Sequence, residues 1–244
     1  APMSEIAGRM ATQVGAQMLT KIEGGMGLLM GGTAGVQAAH VVIVGAGTVG
    51  LSAAKVAMGM GARVTILDSN LFRLRQIDDL YGGRIQTLAS NAFNIAAAVK
   101  EADLLVGSVL IPGALTPKLV TEAMVKTMKK GSAIVDVAID QGGCIEVTAK
   151  HGATYHDNPT FMYEGIVCYS VGNMPGAVAR TSTFTLTNAT MPYMIDLANK
   201  GWKKACQDDK ALARGINTYD GKVYFKGVSD ALGYELHCTC DILK

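Results

Sequence analysis

The chain has 244 residues and a mass of 25.5 kDa, and 49% of its residues are hydrophobic, which is enough for a sizeable core. Its formal net charge is only +2, and the lysines and arginines are dispersed. This distribution argues against a nucleic-acid or membrane-surface partner. The apolar stretch at 24–36 is broken by glycines and is too short to span a bilayer.

The five cysteines show no paired framework spacing, so we expect a reducing, cytoplasmic location. His237, Cys238 and Cys240 lie together near the end of the chain, but no second cluster of suitable spacing completes a tetrahedral site. We therefore expect no metal, and we interpret the end of the chain as a frayed tail.

The first predicted element is a helix over residues 4–21. Apolar residues from Ile6 to Met18 recur at every fourth position and would line one face of that helix. Ser4 stands where an N-cap would. From the sequence pattern alone, Ser4 could equally cap the helix or contact a phosphate.

Residues 41–50, VVIVGAGTVG, join an apolar strand to a G-x-G-x-x-G turn and then to a helical pattern. In this context Gly45 makes the tight turn, Gly47 leaves room for a pyrophosphate beside bare backbone, and Gly50 lets the helix pack close to the strand. The start of that helix presents unpaired N–H groups and a positive dipole end. The run therefore predicts a dinucleotide-binding site.

A second strand is predicted at 63–67 and is followed by Asp68, where the ribose of a dinucleotide needs an acidic residue. A carboxylate that accepts hydrogen bonds from both ribose hydroxyls would repel a 2′-phosphate, so NAD is favoured over NADP. Arg73 and Arg75 weigh against this preference, because an arginine near the adenosine can accommodate that phosphate.

Further strands are predicted at 84–88, 103–110 and 133–139, and helical patterns alternate with them. This alternation indicates a parallel doubly wound sheet. Ligands of such sheets lie beyond the carboxyl ends of the strands, so the residues that follow each run are candidates for the site.

The candidates at these strand ends are Ser90, Val109, Leu110 and Asp140. Asp140 is the best catalytic candidate, because glycines follow it and would let another group approach closely. It could also cap a turn or a following helix. Asp136 lies inside the predicted strand, and we interpret it as structural.

After the sheet comes a threonine-rich segment that extends to Asn188, followed by a helical run to Asn199. Pro192 is expected to bend or interrupt this helix, and Gly201 stands where a C-cap glycine would. A tail of this length is more than one layer of a nucleotide domain needs, which favours a second domain.

Several segments together resemble the bacterial L-alanine dehydrogenase family. They are residues 2–9 (PMSEIAGR), the VGAGTVG turn, residues 111–114 (IPGA), 135–144 (VDVAIDQGGC), 157–160 (DNPT) and 173–175 (NMP). The similarity extends over nearly the whole chain, to about Gly233. The NAD-binding domain of the proton-translocating transhydrogenase is also similar, but its motifs fit less well.

Carried over by position, the resemblance implies one catalytic residue, Asp140, whose carboxylate would stand beside the substrate amine or imine. Arg73 stands where some members carry lysine. The implied cofactor-binding residues are Ser4, Gly45, Gly47, Thr48, Val49, Gly50, Asp68, Arg73, Ser90, Val109, Leu110, Val137, Ala138, Ile139, Asp140, Val171, Gly172, Asn173 and Met174.

The fold implied is α/β, a doubly wound parallel sheet that forms a Rossmann NAD-binding domain, with helices at both ends that belong to a second, incomplete catalytic domain. The expected organisation is a linking helix and connector at 1–35, the Rossmann domain at 36–172, and a helical return segment of the catalytic domain at 173–244.

The activity implied is the reversible, NAD-dependent oxidative deamination of L-alanine to pyruvate and ammonia, in a homo-oligomer that is a hexamer in the family. Family members begin with a further half-domain that supplies an arginine, a lysine and a histidine to the substrate. We expect that half-domain to precede Ala1. None of the histidines here, His40, His151, His156 and His237, matches that role.

Two alternatives therefore stay open. The chain could be a catalytically silent NAD-binding module, which would bind the cofactor without turnover. It could instead be a transhydrogenase-like domain that exchanges hydride with a partner protein.

Overall fold

The computed structural model describes residues 2–109 and 116–244. The chain divides after Ser182 into two compact units, and each is described by itself below. The helices are α1 (Pro2–Met18), α2 (Thr48–Gly59), α3 (Leu71–Tyr81), α4 (Ala92–Glu101), α5 (Glu122–Val125), α6 (Glu146–His151), α7 (Ala179–Asp208), α8 (Lys210–Ala213) and α9 (Lys226–Leu232). The strands are β1 (His40–Val44), β2 (Arg63–Asp68), β3 (Ile85–Ala89), β4 (Leu104–Gly107), β5 (Ala133–Asp136), β6 (Thr160–Tyr163), β7 (Ile166–Tyr169), β8 (Thr218–Tyr219) and β9 (Lys222–Val223).

The first unit is built on a seven-stranded sheet in the order β3-β2-β1-β4-β5-β7-β6. Neighbouring strands pair in parallel, except that β6 pairs antiparallel with β7. The predicted α/β doubly wound sheet is therefore confirmed. The β6–β7 hairpin extends it by an antiparallel edge that the strand pattern did not predict.

Alternate residues of each central strand enter different cores. Val41 and Ile43 pack on the side of α1 and α2, whereas Val42 and Val44 pack on the side of α4. All four are fully buried. Because helices cover both faces of a parallel sheet, such strands appear in the sequence as continuous apolar runs.

Two predicted strands are shorter than expected. The strand expected at 103–110 covers only Leu104–Gly107, and the one expected at 133–139 ends at Asp136. At Asp136 the side chain accepts a hydrogen bond from the backbone N–H of Ala138 and begins a 3₁₀ helix over Val137–Gln141. This capping bond turns the chain out of the sheet at the point where the site begins.

Helix α1 packs closely against α2. A Cβ added at Gly8 would lie 2.1 Å from the carbonyl oxygen of Val49, and the hydroxyl of Thr12 donates to the carbonyl of Ala53 at 2.9 Å. The helix begins at Pro2, so Ser4 lies in its first turn and the expectation that Ser4 is the N-cap was wrong. Proline suits this position because its missing N–H is one that the first turn leaves unpaired.

In the second unit, the threonine-rich segment is helical. Helix α7 runs through Pro192 without interruption and is broken instead at Gly201, whose φ and ψ are 72° and 158°. Ala205 and Cys206 are buried after the break, and β8 and β9 form a short antiparallel pair. The expected domain boundaries at 35/36 and 172/173 stay predictions. No helix in the described part of the chain is long and apolar enough to cross a membrane.

Candidate functional site

A cleft at the carboxyl end of β1 consists of two adjoining cavities of about 260 and 140 Å³, which share Ser4 and Val49. The larger is lined by Ser4, Gly45, Gly47, Thr48, Val49, Asp68, Ser108 and Val109. The smaller is lined by Met3, Ser4, Ala7, Val49, Val137, Asp140, Val171, Asn173, Met174 and Pro175.

The glycine turn forms the floor of the larger cavity. Gly45 has φ of +104°, and a Cβ at Gly50 would lie 1.9 Å from the carbonyl oxygen of Gly45. Neither position tolerates a side chain. Gly47 differs, because nothing lies within 4 Å of where its Cβ would stand. The bare backbone at Gly47 therefore opens onto free space, as the approach of a pyrophosphate requires.

Gly47 is also the N-cap of α2, whose axis starts at the cavity. The first backbone N–H groups of a helix have no partner within it, and together with the dipole they favour an anion. A phosphate is the anion that this arrangement suits in a dinucleotide.

Asp68 ends β2 beside the turn, and both of its carboxylate oxygens are held in place. Oδ2 accepts from the backbone N–H of Ala46 at 2.7 Å, and Oδ1 accepts from that of Asn70 at 2.8 Å. A carboxylate has about four acceptor positions, so lone pairs remain for two ribose hydroxyls. The side chain is thus fixed in orientation and can still accept further hydrogen bonds.

Arg73 and Ser90 lie outside the described lining of both cavities, although both were predicted to bind the cofactor. The Arg73 guanidinium donates through Nε to the carbonyl of Ala46 at 2.9 Å and through Nη1 to Oε1 of Gln76 at 3.2 Å. The backbone N–H of Ser90 donates to the carbonyl of Asp68 at 3.0 Å. In this structure both residues support the turn and Asp68.

Ser108 is a cleft residue that the sequence reasoning missed. Its Oγ lies 2.9 Å from the carbonyl oxygens of both Val44 and Gly45, so its hydroxyl can donate to either and holds the start of the turn. It follows β4 directly, beside the predicted Val109. The predicted strand at 103–110 placed Ser108 inside the strand, so only the observed end of β4 at Gly107 identifies it.

Asp140 is exposed at the edge of the smaller cavity, on the 3₁₀ helix that follows β5. Its Oδ2 accepts from the backbone N–H of Asn173 at 3.3 Å. Asn173 has a left-handed conformation, with φ of 53°, and a Cβ at Gly172 would lie 3.0 Å from Oδ1 of Asp140. The segment after β7 thus approaches the carboxylate through its backbone, which leaves the open side of Asp140 toward the cavity.

The loop that carries Asp140 is anchored by the fully buried Asp136. The carboxylate of Asp136 accepts from the Thr148 hydroxyl at 2.6 Å and from the backbone N–H groups of Ala138 and Ile145, each at 3.1 Å. Burial raises the pKa of Asp136, while these donated hydrogen bonds oppose the rise. Its role is the structural one that the sequence predicted.

The remaining predicted residues have three different outcomes. Val137, Val171 and Met174 line the smaller cavity, whereas Ala138 and Ile139 are buried and outside its lining. Leu110 lies outside the described residues.

The described lining of the cleft contains Asp68 and Asp140 but no lysine, arginine or histidine. His40 lies at the opposite end of the sheet, at the start of β1, and His156 is exposed beside Gly176. Among the residues described, no group of three histidine, cysteine or carboxylate side chains could hold a metal ion. The charged side chains of the cleft therefore suit an electron-poor or cationic group, and the described lining offers no cationic side chain to a substrate carboxylate.

Residues 11–226 match the family model described as alanine dehydrogenase/PNT, C-terminal domain. The chain belongs to this family. It is 93% identical to an alanine dehydrogenase of Bilophila wadsworthia, over 100% of this chain and 66% of the relative. It is 60% identical to an alanine dehydrogenase of Methanococcus maripaludis, over 94% of this chain and 61% of that one.

Solved structures agree with this membership. An L-alanine dehydrogenase is similar with a TM-score of 0.91 and 47% identity, over 95% of this chain and 63% of that one. A transhydrogenase from Sinorhizobium meliloti is similar with a TM-score of 0.63 and 27% identity, over 75% of this chain and 52% of that one. The chain thus spans about two thirds of the length of its curated relatives. Membership of an alanine dehydrogenase family and a Rossmann domain imply a nicotinamide cofactor.

Proposed function

We propose that this chain binds NAD in the cleft and is the cofactor-binding part of an enzyme that reversibly deaminates L-alanine to pyruvate and ammonia. The observation that carries the cofactor proposal is Asp68, whose oriented carboxylate lines the larger cavity beside the glycine turn. A 2′-phosphate there would meet a negative charge, which supports NAD over NADP. The substrate is inferred from the alanine dehydrogenases to which the chain is similar.

The residues present fit NAD along the length of the cleft. The start of α2 would receive the pyrophosphate against Gly47, and Asp68 would accept hydrogen bonds from the ribose of the adenosine. Val137, Val171 and Met174 would give the nicotinamide an apolar surface in the smaller cavity. Ser4 lines both cavities and would contact the phosphates between them.

A nicotinamide bound in the smaller cavity would supply the hydride acceptor for the reaction. Asp140 would provide a negative charge for the substrate amine at the edge of the smaller cavity, held in position by the N–H of Asn173. Orientation of this kind lowers the entropic part of a reaction barrier. A cationic anchor for the substrate carboxylate is not among the described lining residues, so we assign the chain binding and orientation rather than the whole reaction.

The lack of a cationic anchor among the described lining residues also favours a second candidate, a catalytically silent NAD-binding module. Such a module needs the glycine turn and Asp68 but no substrate anchor. A transhydrogenase-like domain is a third candidate, supported by the similarity to the transhydrogenase structure. Both share the cofactor site with the first proposal and differ from it in the reaction that follows.

The test is to mix the chain with NAD and L-alanine at mildly alkaline pH and to follow NADH absorbance and pyruvate formation. The assay is run with and without the part of an alanine dehydrogenase relative that this chain does not cover. Turnover that appears when this part is supplied, and disappears in Asp140→Asn, supports the dehydrogenase proposal. NADH binding without turnover under either condition supports the silent module. Hydride exchange between NADH and a second nicotinamide nucleotide, without L-alanine, supports the transhydrogenase-like domain.

We also propose a cytoplasmic, homo-oligomeric protein, with a hexamer as the expected assembly. Three of the five cysteines, Cys144, Cys168 and Cys206, are unpaired, which supports a reducing compartment, whereas Cys238 and Cys240 are paired with each other. Light scattering at several protein concentrations tests the assembly independently of the cofactor.

A further inference from the structure

A third cavity, of about 470 Å³, lies at the opposite end of the sheet, at the amino ends of β1, β2 and β3. The polar residues that line it are His40, Arg63, Thr65, Arg84 and Gln86. Its volume is within the range of small-molecule sites, which is about 300–1,000 Å³. The cleft described above lies at the carboxyl ends of the strands, so the two sites share no lining residue.

The charge of this cavity is positive and uncompensated. Arg63 and Arg84 form no ion pair with any carboxylate in the described residues, and no described residue of the lining is acidic. Arg84 donates through Nε to the carbonyl of Tyr81 at 3.2 Å, which fixes the guanidinium and leaves its Nη groups to a ligand. Two guanidinium groups in one concave surface are suited to the planar, two-point recognition of a phosphate.

The neighbouring negative charges are already engaged. Asp103 accepts from the backbone N–H of His40 at 2.8 Å and pairs with Lys129 at 2.8 Å. Helix α2 ends at this cavity, but its last carbonyls accept from the backbone N–H groups of residues 60–62. These contacts reduce the negative potential that the end of a helix would otherwise contribute.

A row of polar side chains crosses the strands beside the arginines. Nε2 of His40 lies 2.8 Å from the hydroxyl of Thr65, and that hydroxyl lies 3.2 Å from Oε1 of Gln86. Thr65 is only 2% exposed, so this row is built into the sheet. Nothing lies within 4 Å of where a Cβ of Gly83 would stand, which leaves open space above the backbone at the rim.

We propose that this cavity binds a small phosphorylated metabolite, with Arg63 and Arg84 on the phosphate and the row formed by His40, Thr65 and Gln86 beside the polar remainder. The cofactor cleft has no part in this proposal. A phosphate here would be the first negative charge in direct contact with the two guanidinium groups.

His40 offers an internal readout of such binding. Burial and the charge of Arg63 lower the pKa of His40, and Lys129 acts in the same direction, whereas the Glu101 carbonyl and Asp103 act against them. An anion beside Arg63 would offset that positive charge, so the pKa of His40 rises when the site is filled.

The experiment is an NMR titration of the 244-residue chain with glycerol 3-phosphate, with glycerol and inorganic phosphate as comparison ligands. We expect glycerol 3-phosphate to shift the signals of Arg63, Thr65 and Gln86 saturably and to raise the pKa of His40. Arg63→Ala and Arg84→Ala should each weaken binding about tenfold, as the loss of a charge-assisted hydrogen bond predicts. Arg75→Ala, an exposed arginine of α3 outside the lining, is the matched control.

The proposal would be overturned by no saturable shift at the cavity, by equal weakening by all three arginine variants, or by equal binding of glycerol. Shifts confined to the glycine turn would mean that the phosphate binds only at the start of α2, which also contradicts it. The titration is then repeated with NADH present. NADH should shift the signals of the glycine turn, and glycerol 3-phosphate those of the third cavity. If NADH does not bind, the shifts at the third cavity should still appear, so the two proposals can fail independently.

Discussion

Asp68 links the glycine turn to the end of β2 through the backbone N–H of Ala46, at 2.7 Å. Asp68→Ala removes the carboxylate from the ribose position and should weaken NADH binding about tenfold to a hundredfold, the effect of losing hydrogen bonds to a charged group. NADPH should lose less affinity, because the repulsion of its 2′-phosphate disappears. Calorimetric titration of both nucleotides measures the two effects.

The control for this variant is Asp78→Ala, which removes an exposed carboxylate of α3. It should leave both affinities within about twofold, since surface charges away from a site contribute little. If Asp68→Ala weakens NADH and NADPH equally, Asp68 does not determine the preference between them.

Glu122 is a second carboxylate, and its lowered pKa should make the stability of the protein depend on pH. Hydrogen bonds from Lys150 at 2.7 Å and Tyr163 at 2.6 Å, together with Lys126, lower its pKa from 4.5 to about 2. A folded-state pKa below the unfolded one means that the contribution to stability is complete above pH 4.5 and is lost as the pH falls toward 2.

Glu122→Gln should therefore lower the urea midpoint at pH 7, and the difference from the unsubstituted chain should shrink as the pH falls below 4.5. Urea unfolding at pH 7, 4 and about 2.5 measures this trend. Asp79→Asn, which removes an exposed carboxylate of α3, serves as the control and should change the urea midpoint at pH 7 little. A difference that stays constant with pH would contradict the account of Glu122.

At the residue scale, the sequence predicted those site residues that are recognisable from their position at the end of a strand. Asp68 and Asp140 are polar residues directly after apolar runs, and both line the cleft. Ser108 was missed although it follows β4. That Arg73 holds the adenosine end of the cofactor stays a prediction, while its contact with the Ala46 carbonyl depends on the rotamer and on the path of the turn. A pattern of residue types does not contain that information.

At the element scale, the approach of α1 to α2 positions Ser4 at the cleft. Gly8 allows this approach, because a Cβ there would lie 2.1 Å from the carbonyl oxygen of Val49. Ser4 lies one turn earlier on the same face of α1. Gly8→Ala should push the helices apart, cost about 1–3 kcal/mol of stability through overpacking, and weaken NADH binding.

Gly59→Ala is the matched control, since this glycine of α2 has nothing within 4 Å of its Cβ position. Alanine there should be neutral or should stabilise by up to about 1 kcal/mol through helix propensity. Thermal unfolding and NADH titration of both variants measure the comparison. Equal effects of the two substitutions would mean that the contact between α1 and α2 does not set the stability or the cleft.

The sequence predicted the existence of α1 and α2 from their apolar periodicity, but their close contact was not predicted. That contact depends on Gly8 meeting Val49, which is distant in sequence. The end of β5 shows the same limit. The apolar run continues past Asp136, and only the hydrogen bond from Ala138 to its side chain reveals that the strand has ended.

At the scale of the whole molecule, the alternation of strands and helices predicted the parallel sheet, because right-handed crossovers leave few arrangements open. The antiparallel β6 was not predicted, although its hairpin with β7 turns through Glu164 and Gly165, a two-residue loop in which both residues have positive φ. In the second unit, the chain continues as helix through Pro192, where the sequence predicted a bend or an interruption, and it breaks at Gly201. The position of Gly201 thus predicted where the helix breaks, but the residue types did not predict how far the helix extends.

The most direct test of the central claim is calorimetric titration of the 244-residue chain with NADH and, separately, with NADPH. We predict one NADH site per chain and at least about tenfold weaker binding of NADPH, because the carboxylate of Asp68 faces the ribose position. Absence of saturable NADH binding, or equal affinity for the two nucleotides, would contradict the claim that this cleft is an NAD site.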